Sequence, residues 1–314
     1  MRTKENLLLL SEKGILNFNN EPYPNVPFQG ISVIAGDVYQ DHVAVIVDKH
    51  EVWTFASGEW HQVVATEIKL NCICWTSDKQ LLVGTESARL AWLSDGNLKF
   101  IDSFDEVPER KLWNTPWGGP PDVRSLAVSK DGTIYANVHV GWIARSRDGG
   151  KTWKNLCKGL DMDVHQVAAH PSNPAIVFAA TAEGFYLSKN HGDTFTHQIN
   201  DMPYHYERAC ACFLERDVYL LSTSRGPHEY AESRIYRSED EGIHWKLVNG
   251  LPKKISNNIN TSQIIIVGDG NALVIVDDTS IYETNDYGLN WGKVRSDFPR
   301  LFGALVIPEN CSIT

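Results

Sequence analysis

Three charged side chains hold the same place in three consecutive segments of this chain. Arg124 opens Arg-Ser-Leu-Ala-Val, His165 opens His-Gln-Val-Ala-Ala, and Arg208 opens Arg-Ala-Cys-Ala-Cys. Asn71 and Gln263 fall at that place in two further segments. Two guanidiniums flanking an imidazole suit an anion such as a carboxylate or phosphate, because the guanidinium fork grips it with two parallel hydrogen bonds. The loops around these residues add His139, Trp142, Glu183 and Arg225 from one set of connections, and Trp117, Asp122, Asp163 and Tyr206 from another. Asp122, Asp163 and Glu183 also supply carboxyl groups for hydrolysis, which at a glycosidic bond needs two of them roughly 5–10 Å apart. His165 is a further acid/base candidate. A divalent metal held by His139 and His165 beside Asp122 or Asp163 is a third reading, although no helical His-x-x-x-His spacing marks one. The ordinary alternative is that these polar groups hydrogen-bond one another and ordered water.

The elements that must position these residues are written in a repeated phrase. Ser146-Arg-Asp148-Gly-Gly150-Lys-Thr152-Trp153 recurs at 188–195, 238–245 and 284–291, and its final aromatics lie 42, 50 and 46 residues apart. The pattern is Ser/Thr-x-Asp/Asn-x-Gly-x-polar-aromatic. It describes a turn in which a short carboxylate or amide accepts backbone N–H groups and Gly takes a positive φ. Spacing in this range points to stacked supersecondary units.

Around each phrase four short strands recur. Asp163–Ala169 reads as an inner strand, Ala175–Thr181 as a second, Phe185–Ser188 as a third and Phe195–Ile199 as an outer one. The same order fits 122–157, 206–248 and 259–294, with degenerate copies at Val43–Trp60 and Leu81–Gly96. Leu7–Leu10 and Gly14–Phe18 lack an inner strand, and Leu301–Ile307 is an inner strand without partners. Joining them gives a seventh unit and a closed ring, so the expected fold is an all-β, seven-bladed β-propeller of four-stranded antiparallel blades. The whole of 1–314 reads as one domain, its terminal blade built from 1–28 plus 301–308. The repeated turns occupy one face of the ring. The long connections 105–121 and 225–232, rich in aromatics and charge, fall on the other, and chemistry is expected there. His170, beside the His-Pro-Ser-Asn-Pro turn, belongs to the repeated-turn face.

The phrase resembles the Asp-box (BNR) repeat, Ser-x-Asp-x-Gly-x-Thr-Trp, found in sialidases, sortilin-type receptors, some glycoside hydrolases and non-enzymatic WD40-YVTN-BNR-like propellers. The resemblance implies a propeller and two classes of function. One is a sialidase-like glycoside hydrolase. Sialidases of this kind are similar to six-bladed propellers with an early Phe/Tyr-Arg-Ile-Pro motif, which this chain lacks, and xyloglucanase-type enzymes to two tandem seven-bladed propellers. The other is a propeller that binds a small anionic molecule, a glycan or a protein partner, as photosystem II assembly factors with similar repeats imply.

Composition narrows the partners. A net charge of −10 and a pI near 5.5, with no basic stretch, argue against nucleic acid. The leading apolar run is four leucines, too short for a secretory signal or a membrane span, so a cytoplasmic protein with no membrane contact is expected. Of six cysteines, Cys72/Cys74 and Cys210/Cys212 form Cys-x-Cys pairs, while Cys157 and Cys311 stand alone. The pairs read as small buried residues on strands, with soft-metal binding as the alternative, and no cofactor other than a possible divalent metal is expected.

Overall fold

Short runs of Val, Ile, Leu and Phe, punctuated by Gly and Asp, pair with their nearest sequence neighbours into antiparallel meanders. In the computed structural model, which describes residues 6–198, 202–228 and 230–308, seven such sheets succeed one another around an axis. Blades 1 to 6 open with the inner strands Val33–Tyr39, Leu70–Trp75, Val123–Val128, Val164–Ala169, Tyr206–Cys212 and Ile264–Gly268. Each of these blades has four strands in sequence order. Blade 7 joins Leu301–Val306 on the inside to Leu7–Ser11 and then Gly14–Leu16. Neighbouring inner strands touch all the way round, and Leu301–Val306 meets both Val33–Tyr39 and Ile264–Gly268. The expected seven-bladed ring, closed by strands from the two ends of the chain, is therefore observed. Residues 1–5, Ile199 and Cys311 lie outside the described residues.

Both faces of each blade are covered by its neighbours, which explains why the second strands are continuous apolar runs rather than alternating ones. His42–Val47, Val177–Thr181 and Tyr219–Ser224 are buried almost throughout. The described residues form an apolar cluster between every adjacent pair of blades. The four leucines show why closure works. Leu8 and Leu10 point into the cluster with blade 1, while Leu7 and Leu9 point into that with blade 6.

The repeated turns close on themselves. Ser146 Oγ donates to Asp148 Oδ1 at 2.8 Å and accepts the Gly150 N–H at 2.8 Å, while Asp148 accepts Thr152 N–H at 2.9 Å and Thr152 Oγ1–H at 2.6 Å. Gly150 sits at φ 82°. The same bonds recur from the N–H groups of Gly192, Gly242 and Gly288 to the hydroxyls of Ser188, Ser238 and Thr284. The hydrogen bonds from Thr152 hold the Asp148 carboxyl down at about 2. Two buried arginines then bolt blades together: Arg145 donates to His191 O at 2.6 Å and Arg237 to Tyr287 O at 2.6 Å, each in the next blade's turn.

His170 belongs to this turn system. Its Nδ1 accepts the N–H groups of Ser172 and Asn173, and its Nε2 meets Asp217 at 3.1 Å. Among the described residues helix is confined to short pieces, Asp102–Asp105 and Pro108–Leu112 among them, both in the long connection before blade 3. No helix among the described residues is long and apolar enough to cross a membrane.

Candidate functional site

A bulge at the start of the inner strands builds the site. In blade 3 Val123 pairs with Val138 and Ser125 with Asn137, which leaves Arg124 as an extra residue. The same skip leaves His165 in blade 4, Asn71 in blade 2, and Arg208 with Ala209 opposite a single residue in blade 5. Ile34 and Phe302 are the corresponding residues of blades 1 and 7. A bulge frees one residue from the ladder and re-aims its side chain. Here it makes a polar arc, Asn71, Arg124, His165 and Arg208, across four adjacent blades. Gln263 does not join it: blade 6 shifts register at Ile266/Gly268 instead, and the Gln263 amide is engaged by Asp278 and Leu301 O.

The backbone groups released by the bulges find partners in adjacent strands and loops. Val167 N–H donates to Ser125 Oγ at 3.0 Å, Ala209 N–H to Ser222 Oγ at 2.9 Å, and Cys210 N–H to Gln166 Oε1 at 3.1 Å. Thr261 Oγ1 lies 3.2 Å from both His165 O and Arg208 O. Satisfying these groups fixes the arc, because a buried unpaired N–H or C=O is costly.

Two charge groupings meet at the channel mouth. In the first, Asp163 Oδ1 lies 3.3 Å from His139 Nε2 and 3.5 Å from His165 Nε2. Burial alone would raise Asp163, but the two histidines overcome it and hold the carboxyl well below the usual range. Burial pulls His165 below its ordinary value, with Asp163 opposing and Arg124 assisting. His165 Nδ1 meets Glu207 O at 2.5 Å.

In the second grouping, Arg124 lines the central channel, a cavity of about 440 Å³. Arg208 donates to Asn260 Oδ1 at 2.7 Å and Tyr206 Oη at 3.1 Å. Its Nε is buried without a partner. Burial, with Arg208 adding repulsion, pushes Arg124 down to about 10, so it stays protonated at pH 7. Among the described residues no carboxylate lies within ion-pair distance of either guanidinium. Beside Arg208 in the strand, the Glu207 carboxyl is fully buried, both oxygens lack partners, and burial raises it well above its ordinary value.

The remaining candidates divide. Trp117 is 71% exposed at the rim, with its ring 5.3 Å from that of His139. The His165 ring lies 4.7 Å from that of Tyr206. Asp122 stands open at the rim, its backbone carbonyl taking the His139 N–H, yet the protein crowding its carboxyl raises it above the ordinary value. Trp142 is occupied elsewhere, since its indole N–H donates to Leu160 O and its ring packs into the clusters flanking blade 3. Arg225 pairs with Glu232 at 3.3 Å, which Tyr204 and Lys254 also hold. Glu183 is exposed at its turn, its N–H donating to Thr181 Oγ1. The structure records no contact bringing Glu183 or Arg225 to Asp163 or the arc.

The four cysteines of the two Cys-x-Cys pairs are chemically quiet. Burial pushes Cys72 and Cys212 up to about 12, and Cys74 and Cys210 also rise. Sequence reasoning missed Glu207, Asn260 and Thr261. A Glu-Arg pair inside the run Tyr206–Cys212 was a usable signal for Glu207. Asn260 and Thr261 carry none, since they reach the arc from a connection more than fifty residues on.

No family model matches the chain. A 115-residue stretch is 29% identical to the vacuolar protein sorting/targeting protein 10 of Verticillium alfalfae, covering 35% of this chain and 7% of that protein. The chain thus spans less than a tenth of the length of this curated relative. Among solved structures, the GH74 enzyme of Niastella koreensis superposes with a TM-score of 0.60 at 11% identity, over 83% of this chain and 45% of the enzyme. YCF48 bound to D1 peptide superposes with a TM-score of 0.57 at 12% identity, over 84% of this chain and 82% of that one. At these identities the likeness is one of fold.

Proposed function

We propose that this propeller binds an anionic group, a carboxylate foremost, through Arg124 and Arg208 at the channel mouth, with Trp117 and Tyr206 flanking the rest of the ligand. The observation that carries this reading is a pair of neighbouring guanidiniums with no carboxylate within ion-pair distance among the described residues, Asp163 and Asp122 acting on Arg124 only from further away. Two half-buried cations that repel one another are relieved by an anion, and each charge-assisted hydrogen bond contributes about 1.5–3 kcal/mol. A peptide C-terminus and an acidic sugar both offer the group, and a propeller of similar fold holds a peptide. The four turns are read as Asp boxes, supported by the matching hydrogen bonds that the hydroxyls of Ser146, Ser188, Ser238 and Thr284 accept from Gly N–H groups.

The test compares a library of acid-terminated peptides with the same library amidated, and sialic acid with its methyl ester, by thermal shift and calorimetry in EDTA. Acid forms should stabilise the chain, and Arg124→Ala or Arg208→Ala should weaken binding by about tenfold to a hundredfold. Equal binding of acid and capped forms would sink the idea.

A second reading is a glycoside hydrolase using Asp122 and Asp163. What favours it is that their carboxyls shift in opposite directions while both flank His139, the division an acid/base pair needs. It requires that Asp122→Asn and Asp163→Asn each abolish turnover of an aryl glycoside.

A further inference from the structure

We infer that His139, His165 and Asp163 form a binding site for one tetrahedral divalent metal ion of the zinc class, with its fourth position open to ligand. The three ligand atoms all lie within 4.8 Å of one another. Two ligands about 2.0–2.1 Å from zinc and at the tetrahedral angle stand ~3.3 Å apart, whereas octahedral edges are shorter, ~2.9 Å. The two edges to Asp163 Oδ1, 3.3 Å from His139 Nε2 and 3.5 Å from His165 Nε2, match the tetrahedral value, and the third, between the two histidines, is within 4.8 Å.

These contacts leave two atoms without a well-formed hydrogen bond. His165 Nε2 and Asp163 Oδ1 are both buried and both without a hydrogen-bond partner. His165 is fully buried, so bulk water does not satisfy its ring. Its other nitrogen explains the orphan. Nδ1 faces the carbonyl oxygen of Glu207, toward which it can only donate, so the proton sits on Nδ1 and Nε2 keeps its lone pair. Metal-bound histidines are held in this way, with the second ring nitrogen donating to a carbonyl or carboxylate. Two imidazoles and one carboxylate leave a zinc-class ion one open position. The site borders the proposed anion site, since Trp117 packs beside His139 and Tyr206 beside His165, but its ligands are distinct from the two arginines that would hold the anion.

The test uses the full chain stripped with EDTA and dialysed, then titrated with Zn²⁺ by calorimetry and with Co²⁺ by visible absorption. One saturable site per chain is expected, with the d–d bands of four-coordinate cobalt. His139→Ala and Asp163→Asn, changed at partly exposed side chains, should keep the wild-type melting curve while losing the cobalt bands and about a hundredfold in zinc affinity. Buried His165 is reserved for His165→Ala if that variant folds, and the first two variants decide the matter without it. Absence of saturable binding in the wild type would overturn the site. So would undiminished zinc affinity in both His139→Ala and Asp163→Asn, which would assign the metal to other histidines of the surface. Anion binding is measured in EDTA and metal binding without anion, so the two readings fail separately.

Discussion

Gly250→Ala should lower stability by about 4 kcal/mol, at the upper end for a single substitution, and the melting temperature by about 10 °C. Gly250 ends blade 5 at φ 86°, where a Cβ would stand 1.9 Å from Trp291 O. The contact cannot relax cheaply, because the chain here is stitched to the next blade on both sides. Asn249 N–H donates to Leu289 O, and Trp291 N–H donates to Asn249 O at 2.9 Å. Moving Trp291 O would pull the buried indole out of its cluster between blades 5 and 6. Gly159 repeats the arrangement one pair of blades earlier, with a Cβ 2.3 Å from Phe195 O, and Gly159→Ala should behave alike. Gly149→Ala separates the two causes. It shares the positive φ, 68°, but has open space around it, so it carries only the conformational cost of about 1 kcal/mol. Thermal melts of the three variants decide it, and a Gly250→Ala melt within a degree of Gly149→Ala would mean that the packing argument is wrong.

What was legible in the chain follows from the range of each interaction. The turn phrase was readable because all its hydrogen bonds close within eight residues, from Ser146 to Trp153. Ring closure was readable because Leu7–Leu10 is apolar on both faces, which only a strand enclosed between two blades requires. The equivalence of Arg124, His165 and Arg208 followed from register counting. The bulge that re-aims them did not, because a skipped pairing depends on the partner strand. Trp142 and Arg225 show the opposite limit. Each sits in a loop of suitable composition, yet Leu160 O takes the first and Glu232 the second. Such local capture is decided by loop conformation, which residue type leaves open.

Asp37 is expected to make the ring less stable as pH rises from 4 to 7, and Asp37→Asn should remove that trend. The residue sits on the inner strand of blade 1, half-buried beside the channel. Burial raises its carboxyl from 3.8 to about 6, outweighing the N–H groups of Trp75 and Val38 that favour the ionised form. A raised acid contributes stability that is fully present below the unfolded value of 3.8 and is lost as pH climbs through about 6. At about 1.4 kcal/mol per unit the ceiling is ~3 kcal/mol, and water in the channel reduces this to about 2. Asparagine cannot accept from both N–H groups, so Asp37→Asn also carries a constant loss at every pH. The difference between wild-type and variant melting temperatures, followed across pH 4, 5, 6 and 7, isolates the titration from that loss. It should move in favour of the variant by roughly 5 °C and level off above pH 6. A difference that stays flat would place the Asp37 proton in solvent. One that moves toward the wild type would mean that the Trp75 bond from blade 2 dominates, making the ionised carboxylate a tie between the two blades.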